Sequence, residues 1–135
     1  MERDKCIFCK IADGKCPCYK IYENQFVIAF LDISKDIYGH TLVIPKKHFE
    51  NIFDCDEKYL FEVIKAVKLI ANHYKSLGFS GVNVVNANGK SAEQSVFHLH
   101  FHILPRKDDD GIKAFPTLLG TDVDFEEQLK FLKLD

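Results

Sequence analysis

Three histidines stand at alternate positions in one short run, Phe97-His98-Leu99-His100-Phe101-His102-Ile103-Leu104. In a strand, every second side chain lies on the same face, with such neighbours roughly 6.6 Å apart. The pattern places His98, His100 and His102 on one face and Phe97, Leu99, Phe101 and Ile103 on the other. The apolar face can anchor the segment to a core. The polar face is a row of groups that attack, donate and accept protons near neutral pH. Three readings fit: a solvent-facing strand that happens to carry histidines, a catalytic three-histidine metal site, or imidazole itself acting as nucleophile and acid–base catalyst. Half of the chain's six histidines fall within these five residues, which weighs against the first reading. No carboxylate accompanies the run, which weighs against the second.

The cysteines raise a separate question of metal. Cys6-x-x-Cys9 has the spacing of half a zinc site, and four of the five cysteines lie within thirteen residues. An odd count without a signal sequence argues against a disulfide scaffold. Cys16-Pro17-Cys18 is a poorer chelate; Cys18 is expected to be buried and Cys16 exposed, and Cys55 is expected to be incidental.

The elements that must position these residues can be read from periodicity. Ile21 to Leu31 and Thr41 to Ile44 read as strands, with Asn24 turning inside the first stretch, a loop from Asp32 to Gly39 between them, and Pro45 closing the second. Asp54 to Glu57 has the D-x-x-E form of a helix start. Leu60, Val63, Ile64, Val67, Ile70, Tyr74 and Leu77 then recur at helical spacing, and Gly78 supplies a stop, predicting a helix over 56–77. Val82 to Val85 reads as a buried strand, 86–93 as a polar loop, and Val96 to Leu104 as a strand ended by Pro105. A last helix is expected over 124–132. Strands, one long helix, then more strands predict an α+β fold with an antiparallel sheet.

A chain of 135 residues fits a single domain, 1–135, able to bury about two thirds of its unfolded surface. With 47% hydrophobic and 28% charged residues it has ordinary globular composition. The formal net charge of -2 excludes the strong basic excess of a duplex nucleic-acid binder. An anionic ligand must therefore be held by a few placed groups. The opening MERDKCIFCK has no apolar signal core, and no window approaches the length of a membrane span, so a cytoplasmic protein without membrane contact is expected.

The run His98-Leu99-His100-Phe101-His102-Ile103-Leu104 resembles the signature of the histidine triad (HIT) family. Phe30-Leu31-Asp32-Ile33-Ser34, Gly39-His40-Thr41-Leu42-Val43-Ile44-Pro45-Lys46-Lys47-His48 and Gln94-Ser95-Val96 match in order and spacing, and Cys6-Ile7-Phe8-Cys9-Lys10-Ile11 is similar to the bacterial and Hint-like branch. The resemblance runs from Cys6 to Arg106. It implies a HIT-like fold with short N- and C-terminal helices. It also implies cleavage at the α-phosphate of purine nucleoside phosphoramidates or adenylylated compounds, of AMP or GMP type, through a covalent nucleotidyl-histidine.

Carried over by residue, His100 is the nucleophile, and its other ring nitrogen should donate to a fixed acceptor such as a backbone carbonyl. His102 serves the phosphate and the leaving group, and His40 is the supporting fourth histidine. Asp32 pairs with the ribose hydroxyls, Ile33 lines the purine pocket, Gln94 and Ser95 contact phosphate, and Asn86 or Asn88 lies at the ribose-phosphate end. Cys6, Cys9, His48 and His98 resemble a structural zinc set, leaving no catalytic metal. Lys46 and Lys47 read as a solvated strand end. The family resemblance also implies a homodimer through the long helix and an edge strand. The alternatives are a dinucleoside polyphosphate hydrolase and a nucleotide-binding scaffold with vestigial catalysis. In one respect the chain departs from many relatives: Glu93 stands where they carry Gly, in a loop where a non-Gly residue is disfavoured at positive φ.

Overall fold

The computed structural model describes residues 3–134. Five strands, β1 (Lys20–Glu23), β2 (Val27–Leu31), β3 (Thr41–Pro45), β4 (Gly81–Val85) and β5 (Phe101–Arg106), form one antiparallel sheet in the order β1-β2-β3-β5-β4. Helix α1 (Ile7–Ala12) precedes the sheet, α2 (Glu57–Ser76) connects β3 to β4, and α3 (Phe125–Leu132) lies near the end. The expected α+β class, long helix and short terminal helices are all present. No helix among the described residues is long and apolar enough to cross a membrane.

Strand alternation separates two layers. Val27, Ala29, Val43, Phe101 and Ile103 pack on Val63, Ala66, Val67, Ile70 and Tyr74 of α2. Ile28, Phe30, Leu42 and Ile44 face the other way and meet Cys6, Phe8 and Cys9 around α1. Each fully buried aliphatic side chain, such as Val43, Ile44 or Ile103, stabilises the fold by about 1.5–3 kcal/mol. The sheet thus has a helix-covered back and a front on which chemistry can be mounted.

Several local details depart from the periodicity. Asp54 does not cap α2 through a box with Glu57; Asp56 is the N-cap residue, and the Asp54 carboxylate accepts from the backbone N–H groups of Glu50 and Asn51. The strand over 82–85 is not buried: β4 is the edge of the sheet, with Val84 46% and Val85 41% exposed. None of the residues of α3 is buried.

The largest correction concerns the histidine run, in which the strand begins at Phe101 rather than Val96. The register pairs Val43 with Phe101, so the ladder would next reach Ile44 and Pro45. Pro45 has no N–H to donate. Its carbonyl instead accepts from the His98 ring at 2.9 Å, while the Leu99 N–H donates to Phe49 O at 2.8 Å. The backbone of 98–100 is thereby diverted from the sheet. The two-sidedness of the run survives, because Leu99, Phe101 and Ile103 still enter the α2 core.

Pro105 lies inside β5, beyond the last pairing with β3 at Ile103. Gly39 packs against it with φ +78°, where an added Cβ would come within 2.9 Å of Pro105 Cγ. That close approach sets the end of the 32–39 loop, from which His40 emerges.

Candidate active site

Two clusters form on the front of the sheet. In the first, Cys6, Cys9 and His98 are buried and His48 partly so. Cys6 caps α1, its sulfur accepting from the Cys9 N–H, which brings both thiols to the same end of that helix. His98 Nδ1 lies 3.4 Å from each sulfur, and His48 Nδ1 lies 3.2 Å from Cys9 Sγ and 3.2 Å from His98 Nδ1. Because His98 Nε2 donates to Pro45 O, its Nδ1 carries the lone pair and faces the thiols. Burial pushes the Cys9 thiol up to about 11 and the His98 imidazole down to about 4, and lowers His48. Four soft or borderline donors converge with tetrahedral-edge spacing, and for Zn²⁺ bonds of about 2.0–2.3 Å that spacing fits.

In the second cluster, His100 is buried and its Nδ1–H donates to His98 O at 2.8 Å. This carbonyl is available because residue 98 lies outside the ladder. Nε2 of His100 consequently carries the lone pair. Asn86 Nδ2 donates to His100 O at 2.9 Å, and Asn88 in turn donates to Asn86 Oδ1. The His102 ring stands 5.0 Å from that of His100, and its Nδ1 lies 2.8 Å from His40 Nε2. Desolvation, reinforced by His100 and His40, drives His102 down to about 4, and desolvation also lowers His100. Burial thus disfavours the charged form of both rings. Asp32 Oδ2 lies 3.7 Å from His40 Nε2.

Beside these rings is a mainly apolar cleft of about 330 Å³, walled by Phe8, Ile11, Phe30, Leu42 and Val96, with Asp32 and the 78% exposed Ile33 at its rim. Cys16 and Cys18 also line it, and both are half-buried, where one exposed and one buried thiol was expected.

Gln94 is placed differently from the rest. Its buried amide donates to Glu50 O and Val96 O and accepts from Gly89 N–H and Asn51, bracing two loops, while Ser95 beside it is exposed. Glu93 adopts φ +67°, so the loop retains the left-handed geometry that a glycine would occupy without strain. Lys46 pairs with Glu23 at 2.7 Å, and Lys47 lies over the Phe49 and Tyr59 rings.

Two residues were not singled out from sequence. Phe8 sets its ring edge-on to both His98 and His100, at 5.9 and 5.2 Å. Asp36 accepts from His40 Nδ1 at 2.8 Å. The second sits in a loop without periodicity.

A family profile described as HIT domain matches residues 13–109. The chain belongs to the HIT family. An uncharacterised HIT-like protein of Methanocaldococcus jannaschii is 46% identical over 129 residues, 95% of this chain and 98% of that one. An adenosine 5′-monophosphoramidase of Schizosaccharomyces pombe is 39% identical, covering 78% of this chain and 77% of its own. Among solved structures, a HIT family protein of Bacillus anthracis superposes with a TM-score of 0.83 at 42% identity, over 95% of this chain and 92% of that one. A zinc-bound histidine triad protein of Mycobacterium smegmatis reaches 0.79 at 33% identity, over 96% and 91%. The HIT fold therefore accounts for the sheet, its long helix and the place of the histidine run.

Proposed function

We propose that this HIT protein is a nucleotide hydrolase that cleaves purine nucleoside phosphoramidates or adenylylated compounds at the α-phosphate, with His100 as nucleophile. The observation that carries the reading is the 2.8 Å bond from His100 Nδ1–H to His98 O, which leaves Nε2 as the attacking lone pair. Burial, which disfavours the charged form of the ring, supports it further. The S. pombe monophosphoramidase supports the substrate class.

In this reading the base enters the apolar cleft, Asp32 receives the ribose hydroxyls and Ile33 covers the purine. Attack by His100 Nε2 forms a P–N bond as the leaving group departs, and water then breaks that bond to release the nucleoside monophosphate. His102 faces the phosphate and supplies the leaving group with a proton. Asn86 holds the His100 backbone, so its contribution to nucleotide binding is one of position. Ser95 is available to a phosphate oxygen, whereas Gln94 shapes the loop that presents it.

Cys6, Cys9, His48 and His98 would hold a structural zinc ion, whose closed four-donor set would tie α1 to the histidine run. The M. smegmatis relative supports this assignment. A homodimer is also proposed: β4 is an edge strand with exposed valines, and α2 exposes Phe61 (59%) and Leu69 (52%). Sedimentation at micromolar concentration should give twice the 15.5 kDa chain mass; a monomeric mass would refute the dimer.

The decisive experiment compares adenosine 5′-phosphoramidate with a diadenosine polyphosphate, using wild type and His100→Ala. Preferential turnover of the phosphoramidate, lost in the variant, is the expected result. Preference for the dinucleotide would move the assignment to the polyphosphate hydrolases. Wild-type turnover by His100→Ala would overturn the nucleophile.

A further inference from the structure

We infer that Asp36 is a positioning residue of the reaction, and that Asp36, His40 and His102 form a proton relay whose positive charge rests on His40 while His102 delivers the proton. The inference rests on the hydrolase reading above and deepens it.

The geometry begins with tautomers. An ionised carboxylate can only accept, so the 2.8 Å contact between Asp36 Oδ1 and His40 Nδ1 places a hydrogen on that nitrogen. Asp36 is kept ionised: despite the opposing effect of burial, the His40 bond and the Ile37 N–H hold its carboxyl below the ordinary range. His40 Nε2 and His102 Nδ1 then share a single proton across 2.8 Å. When that proton sits on His102, His40 is neutral and His102 Nε2 has only a lone pair. When the pair takes up a second proton, His40 becomes an imidazolium donating to His102 Nδ1. His102 then stays neutral and presents Nε2–H towards the reacting group.

The second state solves an electrostatic problem. A charged His102 is disfavoured by burial and by the neighbouring His100 and His40 rings, and Asp32 and Asp36 compensate only partly. His40 is the better seat for the charge, because it lies between two carboxylates, Asp36 at 2.8 Å and Asp32 at 3.7 Å. The titratable groups facing the pair are thus Asp32, Asp36 and His100.

The loop is shaped to hold this arrangement. Lys35, immediately before Asp36, adopts φ +61°, and Gly39 adopts φ +78° against Pro105. Non-glycine residues in the left-handed region carry strain and concentrate at functional sites. Here the turn brings Asp36 back onto a histidine four residues later.

The proton balance is explicit. As His100 Nε2 bonds to phosphorus and the P–N bond of a phosphoramidate breaks, the leaving nitrogen takes the proton from His102 Nε2. His102 Nδ1 takes the proton of His40 Nε2, and His40 becomes neutral. In the second half, water attacks phosphorus, the bond to His100 breaks, and the water proton returns along the relay. A leaving group stable as an anion needs none of this in the first half.

That difference is the test. Asp36→Asn should lower kcat on adenosine 5′-phosphoramidate about 10- to 100-fold, below the full loss of a general acid because His102 remains. The single-turnover burst of nitrophenolate from the p-nitrophenyl ester of AMP should stay within about threefold of wild type, since only general-acid assistance is lost. The alkaline limb of the phosphoramidate pH profile should move to lower pH, because the pair loses proton affinity with the carboxylate. Asp36→Glu should restore part of the rate. Equal losses on both substrates, or an unmoved alkaline limb, would overturn the relay. A wild type inert towards both substrates would sink the hydrolase reading instead. The relay is then decided by ¹⁵N chemical shifts of His40 and His102: a lowered proton affinity of the pair in Asp36→Asn upholds it, and an unchanged one overturns it.

Discussion

His98 and His100 are two residues apart, both buried and chemically identical, yet their surroundings leave the lone pair on opposite ring nitrogens. His98 donates Nε2–H to Pro45 O, so its Nδ1 lone pair faces Cys6, Cys9 and His48 in a closed nest. His100 donates Nδ1–H to His98 O, so its lone pair sits on Nε2 instead. Which nitrogen is tied to a carbonyl decides which one can accept a proton, bind a metal or attack. The pair shows how one strip of alternating histidines can turn opposite ring nitrogens towards different neighbours.

The sharpest way to break this comparison is to remove one imidazole at a time. His100→Ala should reduce phosphoramidate turnover by roughly a thousandfold or more while retaining stoichiometric zinc by metal analysis. Loss of zinc in that variant would merge the two clusters into one. Cys6→Ser should do the reverse: zinc content falls, and stability drops on the order of 3 kcal/mol or more in denaturant unfolding. If chelation abolished chemistry while fold and dimer stayed intact, the metal would be catalytic and the division between the clusters would fail. The smallest expected effect concerns the loop before the run. Glu93→Gly should relieve the left-handed backbone at φ +67° and stabilise the protein by roughly 0.5–1 kcal/mol, after allowing for the freer unfolded chain. A destabilised variant would mean that the Glu93 side chain contributes more than its backbone costs.

Much of the fold was legible because it follows from local repetition. Helix α2 appears at Glu57–Ser76 against an expected 56–77, and Gly78 ends it with φ +108°. Asn24 turns β1 into β2 by accepting from the Phe26 and Val27 N–H groups with its side chain. The sequence locates β4 but not its exposure, because an apolar run does not say whether a neighbouring strand will lie beyond it. The histidine run forms a shorter strand than its alternation predicts, for a related reason. A ladder depends on its partner, and here the partner reaches Pro45.

Asp36 was invisible for a third reason. It lies in a loop, where neither helical nor strand periodicity exists to place it. Only the left-handed backbone at Lys35 and the closure at Gly39 bring it onto His40.

By itself, the sequence determined which side of the run is apolar and which carries imidazole, because side-chain alternation is a property of the extended backbone alone. It also placed Cys6 and Cys9 about one helical turn apart, since their spacing is local. Only the tertiary structure decided how the imidazoles are divided. That division depends on which carbonyl each ring meets, and those carbonyls are available because a proline on another strand interrupts the sheet.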